Sequence, residues 1–98
     1  MHLERGGFYI VKRVYLAENK PNPFRVSTTI EFGLPQTLYT RLIVFDAAGR
    51  KVAALVEGEQ PKGIRSVVWN AKGVDPGVYF LRLEAGSYNE TRKMVLLK

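Results

Sequence analysis

Along most of the chain, residues suited to a core recur at every second position. Val26, Thr28, Ile30, Phe32 and Leu34 alternate with Ser27, Thr29, Glu31 and Gly33 before Pro35 interrupts them. Successive side chains of a strand point to opposite faces, so a period of two predicts a strand with one buried and one wet face. The same pattern predicts strands from Leu38 to Asp46, Lys51 to Val56, Ile64 to Asn70, Val78 to Glu84 and Tyr88 to Leu97. Upstream, Phe8 to Leu16 reads as a first strand, with Phe8, Ile10, Lys12, Val14 and Leu16 on one side. Its other side, Tyr9, Val11, Arg13 and Tyr15, is equally mixed, which suits an edge. Within Leu38 to Asp46 the side bearing Ile43 and Phe45 is apolar enough to require cover from a loop, the N-terminal strand or a partner.

The separators carry turn chemistry. Asn19-Lys20-Pro21-Asn22-Pro23 excludes regular structure, because each proline fixes φ and removes a donor. Asp46-Ala47-Ala48-Gly49-Arg50 predicts a type I turn followed by a left-handed glycine. Glu57 to Gly63 and Ala85-Gly86-Ser87 supply two more turns. Seven short strands divided in this way, with no long helix, predict an all-β, antiparallel sandwich. Asp75, Gly77 and Tyr79 add the D-x-G-x-Y spacing that leads into strand F of immunoglobulin-type sandwiches, where the tyrosine packs under a loop and bonds to its backbone. Trp69, the only tryptophan, is expected to fill the middle of the core. The expected fold is thus a seven-stranded immunoglobulin/fibronectin III-like β-sandwich. Residues 1–18 are expected to form an N-terminal extension with the first strand, and residues 19–98 the sandwich module.

Composition limits what such a sandwich can do. Ninety-eight residues, 46% hydrophobic and 24% charged, allow one small core and no second domain. Cysteine is absent, which removes disulfides, a thiol nucleophile and cysteine-based metal sites. Fifteen basic residues against nine acidic ones give a net charge of +6, but they are dispersed from Arg5 to Lys98 in nothing longer than pairs. No nucleic-acid partner is expected from that distribution. No apolar run approaches the roughly 20 residues of a membrane span, so no transmembrane segment is expected. Met1 to Gly7 lacks the apolar core of a signal peptide, which makes the chain either an internal protein or a piece of a longer exported one.

His2 is the single histidine and is expected at a frayed surface, so neither a histidine metal cluster nor a histidine-based triad can be assembled. Ser27, Ser66 and Ser87 lack a base, the carboxylates lack calcium-loop spacing, and the glycines form no phosphate-binding loop. No catalytic, cofactor-binding or metal-ligating residue and no cofactor is expected. Attachment, spacing, oligomerisation or address remain as functions.

Several blocks in order resemble one family. They are Asn22-Pro23-Phe24, Ser27 to Phe32, Leu34-Pro35, Val44 to Val52, Leu55-Val56, Gly63, Val67-Val68-Trp69, Gly77 to Leu83 and Thr91 to Lys98. As a set, over residues 19–98, they resemble the immunoglobulin-like module related to the flagellar hook-capping protein and the type A sorting domains of the type IX (Por) secretion system. The resemblance implies a non-enzymatic C-terminal sorting or anchoring module of a secreted or cell-surface bacterial protein. It implies the outer-membrane secretion machinery, or domains of the parent protein, as partners. It also implies a sorting signal at Lys93, Met94, Val95, Leu96, Leu97 and Lys98, while Asn22, Pro23, Phe24, Trp69, Asp75, Gly77 and Tyr79 shape the fold. Arg25-Val26 stands where many relatives continue with Asn-Pro. Two other readings remain at this stage. A structural or carbohydrate-associated accessory domain requires Tyr9, Tyr15, Tyr39 and Tyr88 to cluster, and a self-associating module would use residues 8–16 as an added strand.

Overall fold

The computed structural model describes residues 2–3 and 9–98, with residues 2–3 and 9–10 described by backbone alone. His2–Leu3 (β1) and Tyr9–Ile10 (β2) pair antiparallel with one another. The remaining strands are β3 (Tyr15–Leu16), β4 (Ser27–Leu34), β5 (Leu38–Asp46), β6 (Lys51–Gln60), β7 (Gly63–Asn70), β8 (Gly77–Ala85) and β9 (Tyr88–Leu96). One sheet has the order β3-β4-β7 and the other β6-β5-β8-β9, with every pair antiparallel. These seven strands form a two-sheet sandwich of the immunoglobulin/fibronectin III-like kind.

Alternation builds the core from both layers. Ile30, Phe32 and Leu34 of β4 meet Leu42 and Val44 of β5, Leu81 and Leu83 of β8 and Met94 of β9 in one cluster, all fully buried. Burial of each such side chain contributes about 1.5–3 kcal/mol. Trp69 on β7 is only 4% exposed and packs edge-on against Phe24 and Tyr79, with ring centroids 5.7 Å apart in both pairs.

Three expectations need correction. The strand over Phe8 to Leu16 is not continuous: Phe8 lies outside the described residues, β2 pairs only with β1, residues 11–14 belong to no strand, and only β3 joins the sandwich. Tyr15 sits opposite Gly33, so residues before Val14 would face Pro35, beyond the end of β4. Val26 is not in the core but 59% exposed, because Phe24 takes the core position and β4 begins at Ser27. β6 does not stop at Val56; it runs to Gln60, leaving Pro61-Lys62 as the turn. The polar residues there are a strand's outward face, since Glu57 opposes Arg41 and their side chains approach to 3.3 Å.

On the apolar second side of β5, Ile43 is buried among neighbours of its own sheet while Phe45 stays half-buried. Ile43, 2% exposed, lies opposite Arg82 and next along its face from Arg41. Arg41 lies 3.6 Å from Glu84, and Arg82 2.9 Å from the same carboxylate. Arginine stems at these cross-strand and same-face positions are placed to cover the isoleucine, while their heads remain in an ionic network. On the other sheet Gly33 serves a close approach: a Cβ there would stand 2.1 Å from the Tyr15 ring. That ring is held by a 2.7 Å hydrogen bond from its hydroxyl to Glu31.

The β5–β6 turn follows its predicted chemistry, with Gly49 at φ 85°. Asp46 Oδ1 accepts from the backbone N–H groups of Ala48 and Arg50, both at 2.9 Å, and Oδ2 pairs with Arg50 Nε at 3.0 Å. The Arg50 N–H bond is the chief reason that the Asp46 carboxyl is held below its usual value of 3.8. A depressed folded pKa stabilises the fold above the unfolded value, and this contribution disappears as pH falls through the folded one. Melting curves of the protein and of Asp46→Ala should therefore differ most above about pH 4 and converge as the medium is acidified further. A difference that stays constant down to pH 2 would contradict this account of the turn.

Candidate functional site

The stretch Lys93–Lys98, where the resemblance implies a sorting signal, and the Asn-Pro-Phe block, 71 residues apart in sequence at Asn22 and Lys93, meet in the fold. The Lys20–Pro21 and Asn22–Pro23 peptide bonds are cis. The lead-in is fastened by a buried polar knot, in which Asn19 Nδ2 donates to Thr28 Oγ1 at 3.0 Å and that hydroxyl donates to the Pro21 carbonyl at 2.8 Å. Asn22 then reaches the outer edge of β9. Its Nδ2 donates to the Lys93 carbonyl at 3.2 Å, and its Oδ1 accepts from the Val95 N–H at 3.0 Å. Phe24 continues the seam as a parallel bridge: its N–H donates to Val95 O at 3.0 Å, and its carbonyl accepts from Leu97 N–H at 2.7 Å. Arg25 adds a hydrogen bond to the Lys98 carbonyl. Farther along β9, Arg92 Nε donates to the Leu16 carbonyl at 2.7 Å and links the two sheets.

Within Lys93–Lys98 the strand period divides the side chains. Met94 and Leu96 are buried in the core, Val95 is half-buried, and Lys93, Leu97 and Lys98 are exposed. Leu97 and Lys98 border a shallow cleft of about 420 Å³ that also includes Arg25, Val26, Lys72 and Asp75. Three cations and two exposed apolar side chains, Val26 and Leu97, thus stand around one acid at this end of the sandwich.

The other structural residues sit close by. Gly77 opens β8 opposite Leu96, at φ 152°. The Tyr79 hydroxyl donates to the Asp75 carbonyl, forming a tyrosine corner beneath the loop before β8. Burial first, then the nearby Asp75 and Asp46 charges, raises the Tyr79 hydroxyl pKa. Tyr88 is pushed up to about 12, mainly by burial and by donation to Glu90, and Tyr15 is raised by burial and by Glu31. Each of these shifts is accounted for by burial and a neighbouring carboxylate.

The tyrosines do not form a shared platform. Tyr15 covers Gly33 on the three-stranded sheet, Tyr39 is exposed on β5, Tyr88 packs against the core, and the side chain of Tyr9 lies outside the described residues, as does that of His2. Among the described residues no three histidine, cysteine or acidic side chains group as metal ligands, and no helix is long and apolar enough to cross a membrane. The contacts of Asn22, Arg25 and Arg92 with backbone of other elements were not anticipated. An asparagine next to proline reads as a turn residue, and nothing local reveals a partner more than seventy positions away.

The fold and the seam together define a two-sheet β-sandwich module whose final strand is fastened by its own lead-in. The family model described as the secretion system C-terminal sorting domain matches residues 20–97. The chain belongs to this family of type IX secretion system sorting domains, and so is a sorting or anchoring module of secreted or cell-surface bacterial proteins. No curated protein and no solved structure matches it.

The seam can be tested directly. Asn22→Ala leaves the Val95 N–H and Lys93 carbonyl without their side-chain partner and should cost about 0.5–1.5 kcal/mol in denaturant unfolding. Amide exchange at Val95 should accelerate more than at Leu81, which lies inside the sheet. Unchanged Val95 protection would show that the seam is not formed in solution.

Proposed function

We propose that the sorting address is the outward part of the last strand and its continuation, Lys93, Val95, Leu97 and Lys98, presented by the folded module to outer-membrane secretion machinery. The supporting observation is the division of side chains in this stretch, which leaves both lysines and Leu97 exposed while Met94 and Leu96 are buried. In this reading residues 19–98 are the module that carries the address, and residues 1–18 an extension towards the parent protein's other domains. Asn22, Pro23, Phe24, Trp69, Asp75, Gly77 and Tyr79 act by holding β9 and its neighbours in place.

Deleting residues 93–98 is a poor test, because it removes Met94 and Leu96 from the core together with the exposed groups. The double variant Lys93→Glu/Lys98→Glu changes only exposed side chains. Fused as the full 98-residue chain to a periplasmic reporter in a type IX host, it should lose most export while retaining the circular dichroism and melting of the parent. Undiminished export of the folded variant would overturn the assignment.

Self-association through residues 8–16 is a second proposed partner mode, favoured by the position of β3 at the edge of the three-stranded sheet. Light scattering should then show mass rising with concentration, and a strict monomer at high concentration would remove this mode.

A further inference from the structure

The outward face of the four-stranded sheet carries a row of side chains that neither the core nor the seam explains. Lys51 on β6 lies opposite Phe45 on β5, Phe45 opposite Phe80 on β8, and Phe80 opposite Lys93 on β9. Four adjacent strands therefore present one line, with a lysine at each end and two phenylalanines between. Their chain neighbours Val44, Leu81 and Met94 are buried, so Phe45, Phe80 and Lys93 point away from the core.

Lys51 and Lys93 are exposed, and neither pairs with an acidic side chain among the described residues. The acids Glu57 and Glu84 lie farther along the face and are engaged by Arg41 and Arg82. Beside the half-buried rings is a shallow depression of about 390 Å³, lined by Phe45, Ala47, Phe80, Arg82 and Thr91 and by Asp46, whose carboxylate is engaged by Arg50. The row thus offers an apolar seat between two cations.

Its spacing selects a shape of ligand. Strands lie about 4.8 Å apart, so the two lysines are rooted about 14 Å from each other and the centre of the phenylalanine pair about 7 Å from each. An extended peptide advances about 3.4 Å per residue and turns residues i, i+2 and i+4 to the same side, at about 0, 7 and 14 Å. We propose that this row docks an extended acidic segment of a partner protein. Carboxylates at i and i+4 meet Lys51 and Lys93, and an apolar side chain at i+2 enters the depression beside Phe45 and Phe80. Because Lys93 belongs to the proposed address, this inference deepens that reading and rests on it for its setting. Lys51 lies outside the address and separates the two experimentally.

The test is fluorescence anisotropy with the full 98-residue chain and a labelled peptide, Gly-Glu-Ala-Phe-Ala-Glu-Gly, as the probe. Saturable binding that weakens with salt is expected. Lys51→Glu should reduce affinity about tenfold, since attraction at an exposed pair becomes repulsion. A peptide with lysine in place of its first glutamate should recover much of that loss on the Lys51→Glu variant. Moving the glutamates to i and i+3 should weaken binding to the unaltered chain. Absence of saturable binding, equal affinity for Lys51→Glu, or indifference to glutamate spacing would each overturn the proposal. Equal displacement of the peptide by trigalacturonate would overturn the choice of a peptide over an acidic glycan. Loss of peptide binding alone, with export still dependent on Lys93 and Lys98, would leave the address standing. Lys51-dependent binding with export indifferent to Lys51→Glu would uphold the docking row and detach it from sorting.

Discussion

An edge strand in a sandwich presents a row of unpaired N–H and C=O groups, and everything at the business end of this molecule depends on how that row is covered. On β9 the cover is the lead-in, with the Asn22 side chain and the Phe24 backbone together engaging the Lys93 and Val95 carbonyls and the Val95 and Leu97 N–H groups. The lead-in is itself fixed to β4 through Asn19 and Thr28. The seam therefore ties the final strand of one sheet to the first long strand of the other, and Phe24 carries the tie into the core against Trp69. Arg92 adds an independent link from β9 to β3. A strand that would otherwise be an adhesive edge becomes a fixed platform over residues 93–97.

The same features explain how much was legible in the residues. Strand faces were readable wherever one side meets the core and the other meets water, as in β4 and β8, because the period is then enforced by burial. The pattern failed where something other than burial set the structure. β3 is short because its partner stops at Pro35, which no local pattern in residues 8–16 reveals. Val26 is apolar and in phase, yet Phe24 already fills the core position next to Trp69. The run Glu57-Gly58-Glu59 reads as a turn when taken alone, but becomes a strand once Arg41 stands opposite Glu57. Cross-strand ion pairing is a property of register, and register is not visible in a single segment.

The candidate site was legible in its parts and hidden in its assembly. The Asn-Pro-Phe block and the basic-apolar-basic ending were both recognisable, and each carries an obvious local role. What joins them is the carboxamide of Asn22, which offers one donor and one acceptor in the spacing of a peptide group and so can stand in for a strand residue. That function depends on the strand it faces, and appears only when both are folded.

A strand used as an address meets a constraint that a flexible tail does not. Its alternate residues are committed to the core, so Met94 and Leu96 must stay apolar whatever reads the protein, and information can be carried only by the remaining positions. Those positions are legible to a receptor only while the strand is paired on both edges and its period is preserved. Here β8 pairs one edge and the Asn22–Phe24 seam the other. Unfolding would expose Met94 and Leu96 beside Lys93 and Lys98 and erase the difference between the two faces. Presentation of the proposed address is thus coupled to folding by the geometry of the strand itself, and under that proposal the residues that hold the seam would act on recognition without touching the partner.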